Sequence, residues 1–238
     1  AGLLATYDVL VFPGFSHVQS SQLDDITLAL EIAQASGTSF IASGNFLTND
    51  ETGAAIAGNS YARMQSMLGV TLDGFGTTEG LGVTAGSATN PILGDYTAGE
   101  QIDTYDTAAS YLNFRDTTGT AQVLFDQQVT NGGVTESMAA VFANEVGGNR
   151  NVHFSTDAVM ANSNILHEAI DWAAKDDTSV ADMSLQMTRG ESLFYSRNDM
   201  DLSQEYFDVV LTDPGVYDVM LPIVNDWYAK YDFVGSYY

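Results

Sequence analysis

Short apolar runs and one mainly apolar helical stretch make up the first 45 residues of the chain. Residues 7–14 (YDVLVFPG) are mostly apolar and close on a Pro-Gly pair, which is the pattern of a strand buried on both faces of a parallel sheet. Residues 21–37 begin with a serine cap and an acidic first turn, continue with apolar helix positions and end at a glycine. Residues 38–43 predict a second buried strand. The pattern therefore predicts a right-handed β-α-β unit in a sheet with helices on both faces.

Further elements of both kinds are predicted up to residue 174. They are a helix over 59–68, loops or short strands over the Gly- and Thr-rich residues 69–90, a hairpin within 121–146, a strand over 151–155 and a helix over 163–174. The hairpin is indicated by Gly-Gly pairs between short apolar runs. The last helix is indicated by apolar residues at helical spacing after Ser163, its expected N-cap.

Residues 175–178 (KDDT) are polar and precede a change of pattern, so they predict a boundary between two domains. The first domain covers residues 1–177 and the second residues 182–238. The second contains alternating apolar residues, a helix and a terminal strand over 233–238. Such a start of a domain cannot bury its own sheet face. We therefore expect the chain to be part of a longer polypeptide, with the first domain lacking N-terminal strands and the second its C-terminal remainder.

Charge and composition exclude several classes of partner. Asp and Glu outnumber Lys and Arg 31 to 7, and the formal net charge is −24. Because the basic residues are scattered singly, a nucleic-acid surface is excluded and an anionic membrane would repel the protein. No apolar run approaches the roughly 18 residues of a membrane span. The absence of cysteine excludes thiolate nucleophiles and thiolate metal ligands, and the charge pattern is typical of an extracellular or secreted protein.

The motif with the clearest chemistry is SRNDMD at residues 196–201, placed after a predicted strand. Asp199 and Asp201 lie two residues apart, so on an extended segment both carboxylates point the same way. One can then hold a metal ion while the other accepts a proton from water. Arg197 and Asn198, beside them, are candidate substrate-binding residues. A solvated turn with an Asx cap is the alternative interpretation of the same residues.

Residues 185–204 and 231–238 resemble the start of the polysaccharide deacetylase domain of the Pel-exopolysaccharide deacetylases of bacteria and the galactosaminogalactan deacetylases of fungi. The resemblance implies the first part of a (β/α) barrel that removes N-acetyl groups from extracellular amino-sugar polymers. It also implies that Asp199 is the general base and that Asp201 is a ligand of a divalent metal ion, most simply zinc. The family completes the metal site with two histidines one helical turn apart, and this sequence has no such pair. We therefore expect the chain itself to be inactive.

A second resemblance covers about residues 6–175. The strand over 7–14, the turn over 40–45 and the segment 149–174 are similar to the class I glutamine amidotransferase-like fold, which is a three-layer, flavodoxin-like α/β domain. Active amidotransferases place a cysteine on the strand-to-helix turn, whereas this turn reads Ala-Ser-Gly-Asn over 42–45. The resemblance therefore implies a domain without amidotransferase chemistry. Non-catalytic versions of this fold occur beside sugar-active domains.

Several residues have competing interpretations. Ser43 can be a nucleophile with His153 or His167 as base, or a turn residue. His153 lies in an apolar stretch, which is typical of a hydrogen-bonded core histidine. Acidic clusters at 24–25, 49–51 and 176–177 can hold calcium or can cap helices and solvate linkers. The aromatic residues near the C-terminus can stack on sugars or form a barrel core.

Together these features predict part of an extracellular metal-dependent polysaccharide deacetylase acting on N-acetylated amino-sugar polymers. The negative field suits a polymer that is neutral or becomes cationic on deacetylation. The alternative is a carbohydrate-binding or structural extracellular protein that uses the amidotransferase-like domain as an interaction module. A serine hydrolase at Ser43 is a third possibility.

Overall fold

The structure, a computed structural model, describes residues 2–105, 109–161, 165–174, 197–198, 216–231 and 236–237. The chain divides into two compact units, Ala1–Met187 and Thr188–Tyr238. The predicted boundary at residues 175–182 lies outside the described residues. Both units combine strands and helices, so the protein belongs to the α/β class, as the sequence predicts.

The first unit contains most of the described secondary structure. Its helices are α1 (Leu23–Ala35), α2 (Ala62–Leu68), α3 (Asp157–Ala161) and α4 (Ile165–Ala174). Its strands are β1 (Val9–Phe12), β2 (Ser39–Ser43), β3 (Val70–Thr78), β4 (Gly80–Ala85), β5 (Gln101–Tyr105), β6 (Ala109–Asp116), β7 (Gln122–Asn131), β8 (Val134–Val146) and β9 (Asn149–Phe154). Short 3-10 turns occupy Leu4–Thr6, Ser20–Gln22 and Pro91–Leu93.

A seven-stranded mixed sheet with the order β1-β2-β9-β8-β7-β4-β5 organises this unit. Strands β1, β2 and β9 are parallel, and the neighbours from β9 through β5 are antiparallel. Strands β3 and β6 form a separate antiparallel pair. The predicted β-α-β unit is confirmed in β1, α1 and β2. However, β1 is a half-buried edge strand rather than one buried on both faces, because among the described strands only β2 pairs with it.

A two-residue turn connects two long antiparallel strands and sets their register. Gly132 and Gly133 connect β7 to β8, and Asn131 lies opposite Val134 in the register. Both glycines have positive φ, which a type I′ hairpin turn requires. The predicted hairpin is confirmed, although β8 is a continuous strand of 13 residues rather than a set of short apolar runs.

Hydrophobic side chains pack on both faces of the sheet. In β2, Ile41 belongs to one cluster, which also contains the buried α4 residues Ile165, Ala169 and Ala173. Its neighbours Phe40 and Ala42 belong to the other cluster, with buried residues of α1 and α2. Because successive side chains of β2 point to opposite faces of the sheet, this strand packs against helices on both faces. The predicted apolar stripe of α4 is confirmed.

One sequence-based prediction needs correction in the first unit. Helix α1 follows a 3-10 turn over Ser20–Gln22 and has no side-chain cap, so Ser21 is not its N-cap, although Asp24 and Asp25 do occupy the first turn. Of the two alternatives predicted for residues 69–90, loops or short strands, the structure has strands, β3 and β4. Antiparallel partners supply their stability, and β6, which pairs with β3, was not predicted.

The described residues of the second unit form one parallel strand pair and one helix. The strands are β10 (Arg197–Asn198) and β11 (Ser236–Tyr237), and α5 (Val216–Tyr231) lies between them in the chain. This order confirms the predicted helix and terminal strand. Large apolar side chains of α5 are exposed rather than packed in a core; they include Leu221, Ile223, Trp227, Tyr228 and Tyr231.

Within the parts of the chain that the structure describes, no helix is long and apolar enough to span a membrane.

Candidate functional site

Only part of the predicted acidic motif falls within the described residues. Asp199 and Asp201 lie outside them. Arg197 and Asn198 form β10, and their backbones pair with Ser236 and Tyr237 of β11. In the sequence, Asp199 is the residue after Asn198.

A polar cluster joins the carboxyl ends of the three parallel strands in the first unit. The Gly14 N–H, after β1, donates to Ser43 Oγ at the end of β2 over 3.0 Å. The Ser43 hydroxyl in turn donates to Asp157 Oδ1 at the start of α3, after β9. Gly14 has a positive φ of 60°, which favours glycine, and a Cβ there would lie 2.9 Å from Asp157 Oδ2 and displace that carboxylate. We call Gly14, Ser43 and Asp157 the carboxyl-end cluster.

The contacts of Ser43 in the carboxyl-end cluster are not those of a nucleophile with a histidine base, which is one of the interpretations that the sequence allows. Ser43 is fully buried, and its hydroxyl is engaged as both donor and acceptor. Its partner is the carboxylate of Asp157, and neither ring nitrogen of His153 bonds to it. His167 lies on the exposed side of α4. The arrangement is that of a buried serine that ties strand ends together.

His153 is a core histidine, as its apolar surroundings predict. Its Nε2 bonds to the Gly44 carbonyl oxygen over 2.8 Å, and its ring centroid lies 4.4 Å from that of Phe114. Its Nδ1 is buried without a hydrogen-bond partner. Burial lowers the pKa of His153 to about 4, against a smaller opposing effect of the bond to Gly44. The imidazole is therefore neutral at pH 7 and donates through Nε2.

Replacing Ser43 tests the structural role of the carboxyl-end cluster. We expect Ser43→Ala to lower the free energy of unfolding by about 1–3 kcal/mol, because the partly buried Gly14 N–H loses its acceptor. Chemical denaturation measures the change. Ser39→Ala is the matched control, since Ser39 is equally buried in β2 but its hydroxyl has no partner. Equal losses in both variants, or loss of an esterase activity in Ser43→Ala without destabilisation, would contradict this role.

The acidic cluster at residues 49–51 has a structural explanation. Asp50 accepts hydrogen bonds from the Thr52 hydroxyl and the Thr52 and Ala54 N–H groups. Glu51 accepts from the Ser20 N–H and hydroxyl, each over 2.8 Å. Hydrogen bonds from Thr52 lower the pKa of Asp50, and those led by the Ser20 N–H lower the pKa of Glu51. Both carboxylates are thus used in turns, while the acidic pair at 176–177 lies outside the described residues.

A concavity of about 360 Å³ beside α4 contains an aromatic ring and amides. The guanidinium of Arg150 lies 5.5 Å from the Trp172 ring centroid and donates to the Trp172 carbonyl oxygen. Asn90 Nδ2 donates to Gln122 Oε1 over 2.8 Å. Because the cation covers one ring face and the amides bond to each other, this concavity has little unengaged surface for a ligand.

In the described ranges, no group of three or more His, Asp or Glu side chains is placed to hold a metal ion. The nearest His17 contact is a hydrogen bond to Ser16 over 2.8 Å, and His153 is buried in the sheet. These histidines do not supply the ligand pair of the deacetylase family. A metal centre built on Asp201 therefore needs ligands that the described part of this chain does not provide.

Comparisons with known proteins are informative about the fold only. No protein-family model and no curated protein matches the chain. A cytoplasmic protein from Salmonella typhimurium LT2 is similar in structure, with a TM-score of 0.50 and 16% identity, over 73% of this chain and 72% of that one. At this identity the likeness indicates a shared α/β fold and carries no information about activity.

Two beta-galactosidases are also similar in structure. Gan42B, a GH42 enzyme from G. stearothermophilus, has a TM-score of 0.48 and 13% identity over 71% of this chain. The cold-adapted enzyme from Rahnella sp. R3 has a TM-score of 0.46 and 14% identity over 71% of this chain. The aligned part is only 22% of each beta-galactosidase chain, so this protein spans about a fifth of their length.

Proposed function

We propose that this chain is part of an extracellular, metal-dependent polysaccharide deacetylase acting on N-acetylated amino-sugar polymers. In this proposal the second unit begins the catalytic (β/α) barrel. The first unit is a three-layer, amidotransferase-like (flavodoxin-like) domain without chemistry of its own. The observation that supports the proposal is the β10-α5-β11 order with parallel strands, since a (β/α) barrel begins with such a unit. In the sequence Asp199 comes immediately after Asn198, the last residue of β10. The exposed aromatic side chains of α5 are surface that the rest of a barrel would cover.

The proposed roles follow the acidic motif. Asp199 is the general base, Asp201 contributes one metal ligand, and Arg197 and Asn198 contact the sugar. A bound zinc ion would polarise the N-acetyl carbonyl group. One carboxylate gives only weak metal binding, so this chain alone is proposed to be inactive.

The test is acetate release from an N-acetylated amino-sugar polymer by the longer polypeptide of which this chain is proposed to be part, supplied with zinc. We expect Asp199→Asn to lower kcat by about 100-fold or more, because a positioned general base contributes at least that factor. Asp226→Asn is the matched control, since Asp226 is an exposed carboxylate on α5 of the same unit. Full activity of Asp199→Asn, or equal losses in both variants, would reject Asp199 as the base. If the wild-type protein releases no acetate, the deacetylase proposal fails.

The second candidate is an extracellular carbohydrate-binding or structural protein in which the first unit is an interaction module. Two observations on the first unit support this candidate. Its candidate nucleophile, Ser43, and its candidate base, His153, are both buried. The antiparallel part of its sheet, by contrast, has open polar surface. Binding of a polysaccharide without any acetate release would favour this candidate over the deacetylase.

A further inference from the structure

We propose that the first unit binds a neutral carbohydrate chain in a trough on the outer face of its sheet. The trough has a volume of about 350 Å³ and follows β4, with β5 on one side and β7 on the other. Its floor is formed by Gly80 and Gly82, whose neighbours Leu81 and Val83 point into the core. The proposal goes beyond the deacetylase function, since the trough lies in the other unit and requires no metal.

Gly80 begins β4 and Gly82 lies inside it, where a glycine weakens a strand and needs a reason. Neither Gly80 nor Gly82 has a positive φ, so backbone conformation does not require glycine at either position. A Cβ at Gly82 would come within 3.6 Å of Gln128 Cβ, and one at Gly80 within 4.0 Å of the Tyr105 carbonyl oxygen, which are ordinary contacts. Side chains at Gly80 and Gly82 would therefore fit, but they would fill the trough above the strand. Glycine in a strand often marks the close approach of a ligand.

The strand register places amides and hydroxyls along both walls. Thr130 lies opposite Gly80 on β7, while Gln128 lies opposite Gly82. On the other side, Thr104 of β5 also lies opposite Gly82. Since the strands rise about 3.3 Å per residue, the floor from Gly80 to the far end of β4 is roughly 13–17 Å long. That length suits an extended ligand rather than a compact one.

Internal hydrogen bonds hold these side chains in place and leave groups for a ligand. Gln128 Nε2 donates to Thr84 Oγ1 over 3.2 Å and to Ser137 Oγ over 2.9 Å. Gln101 Nε2 donates to Thr104 Oγ1. The Thr84 and Thr104 hydroxyls accept in these bonds and keep their protons to donate, and both glutamines keep Oε1 to accept. The hydroxyl of Thr130 is already bonded to that of Thr135. The walls therefore offer both donors and acceptors, which sugar hydroxyl and acetamido groups can satisfy.

The charge of the trough selects an uncharged ligand. No Lys or Arg side chain lines it, and the one ionisable lining residue, Glu79, accepts a hydrogen bond from the Gly132 N–H over 3.0 Å. Phosphate, sulfate or uronate groups would therefore gain no cationic partner there, and the formal net charge of −24 repels them further. A neutral polymer rich in hydroxyl groups remains the chemistry that fits.

The experiment fills the trough without disturbing the fold. Gly82→Val places a strand-favouring side chain on the floor, so stability should be kept or raised. Isothermal titration calorimetry with the neutral N-acetylglucosamine hexamer should show at least about tenfold weaker binding than wild type, as expected when one or two hydrogen bonds are lost. Gly74→Val is the matched control, because Gly74 lies in strand β3, has open space at its Cβ and is not a lining residue.

The outcomes of these binding measurements test the trough separately from the deacetylase proposal. Weaker binding by Gly82→Val, unchanged binding by Gly74→Val and weaker binding by Gln128→Leu support the trough. Equal binding by wild type and Gly82→Val overturns it, as does tighter binding of alginate, an anionic polymer, than of the neutral hexamer. No binding of the hexamer to the wild-type protein also overturns it. Acetate release is measured independently with Asp199→Asn, so either proposal can fail alone.

Discussion

Acidification from pH 6.5 to about pH 4 is expected to remove about 3 kcal/mol of unfolding free energy through His153 alone. Burial lowers the pKa of His153 from 6.5 to about 4, so the folded protein keeps the ring neutral in this range. The unfolded chain takes up a proton there and is stabilised by it. The contribution is therefore fully present above pH 6.5 and is lost as the pH falls to about 4.

The surroundings of His153 explain why the charged form is excluded. The ring packs against Phe114 and lies 6.4 Å, between centroids, from Phe142, and one nitrogen already bonds to Gly44. A proton on Nδ1 would add a buried donor without an acceptor, because Nδ1 has no partner. Among the residues that the structure describes, no carboxylate contacts the ring to compensate for the charge.

Urea denaturation at several pH values between 7 and 4 measures this effect. In His153→Gln the loss of stability over this range should be smaller than in wild type by about 3 kcal/mol, even if the variant is less stable at pH 7. His17→Gln is the control, because His17 is exposed on a loop, and it should keep the wild-type dependence. Carboxylates such as Asp50 are present in all three proteins, so their contribution to the pH dependence of stability cancels in the comparison. Parallel curves for His153→Gln and wild type would contradict the prediction.

The elements predicted correctly are those with a local signal. The β-α-β start, the hairpin and α4 each have a continuous apolar pattern and a glycine or polar boundary, and these are properties of neighbouring residues. Strands β3 and β4 lack such a signal, because glycine and threonine have no strong periodicity until an antiparallel partner is present. Strand β4 buries Leu81, Val83 and Ala85 only because β7 and β5 lie beside it.

The candidate sites depend on contacts between distant residues. Ser43 and Asp157 are 114 positions apart, so nothing near Ser43 in the sequence indicates its partner. The sequence does mark the other member, since Gly14 follows a strand and closes it. Likewise, the alternation of Gly80 and Gly82 is visible in the sequence, but the trough requires the register with β5 and β7. His153 could be assigned to the core from its apolar neighbours alone.

A side chain at Gly69 should be tolerated much less well than one at Gly58. It ends α2 in the left-handed conformation, with φ 72°, and a Cβ there would overlap Asn144 Nδ2 and lie 2.8 Å from Thr118 Cγ2. Asn144 is buried and cannot retreat easily, because it also bonds to the Thr118 and Thr120 hydroxyls. We expect Gly69→Ala to cost about 3 kcal/mol of unfolding free energy, from backbone strain and overpacking together.

Gly58→Ala separates the two causes. Gly58 also has a positive φ, of 80°, but nothing lies within 4 Å of a Cβ there, so only the backbone cost of about 1 kcal/mol applies. The difference between the two variants, measured by denaturation at pH 7, is the cost of overpacking against Asn144. If Gly69→Ala and Gly58→Ala lose the same stability, Asn144 moves freely and the packing around α2 and β8 is looser than the contacts indicate. A smaller cost of Gly69→Ala in an Asn144→Ala background would locate the clash at that amide.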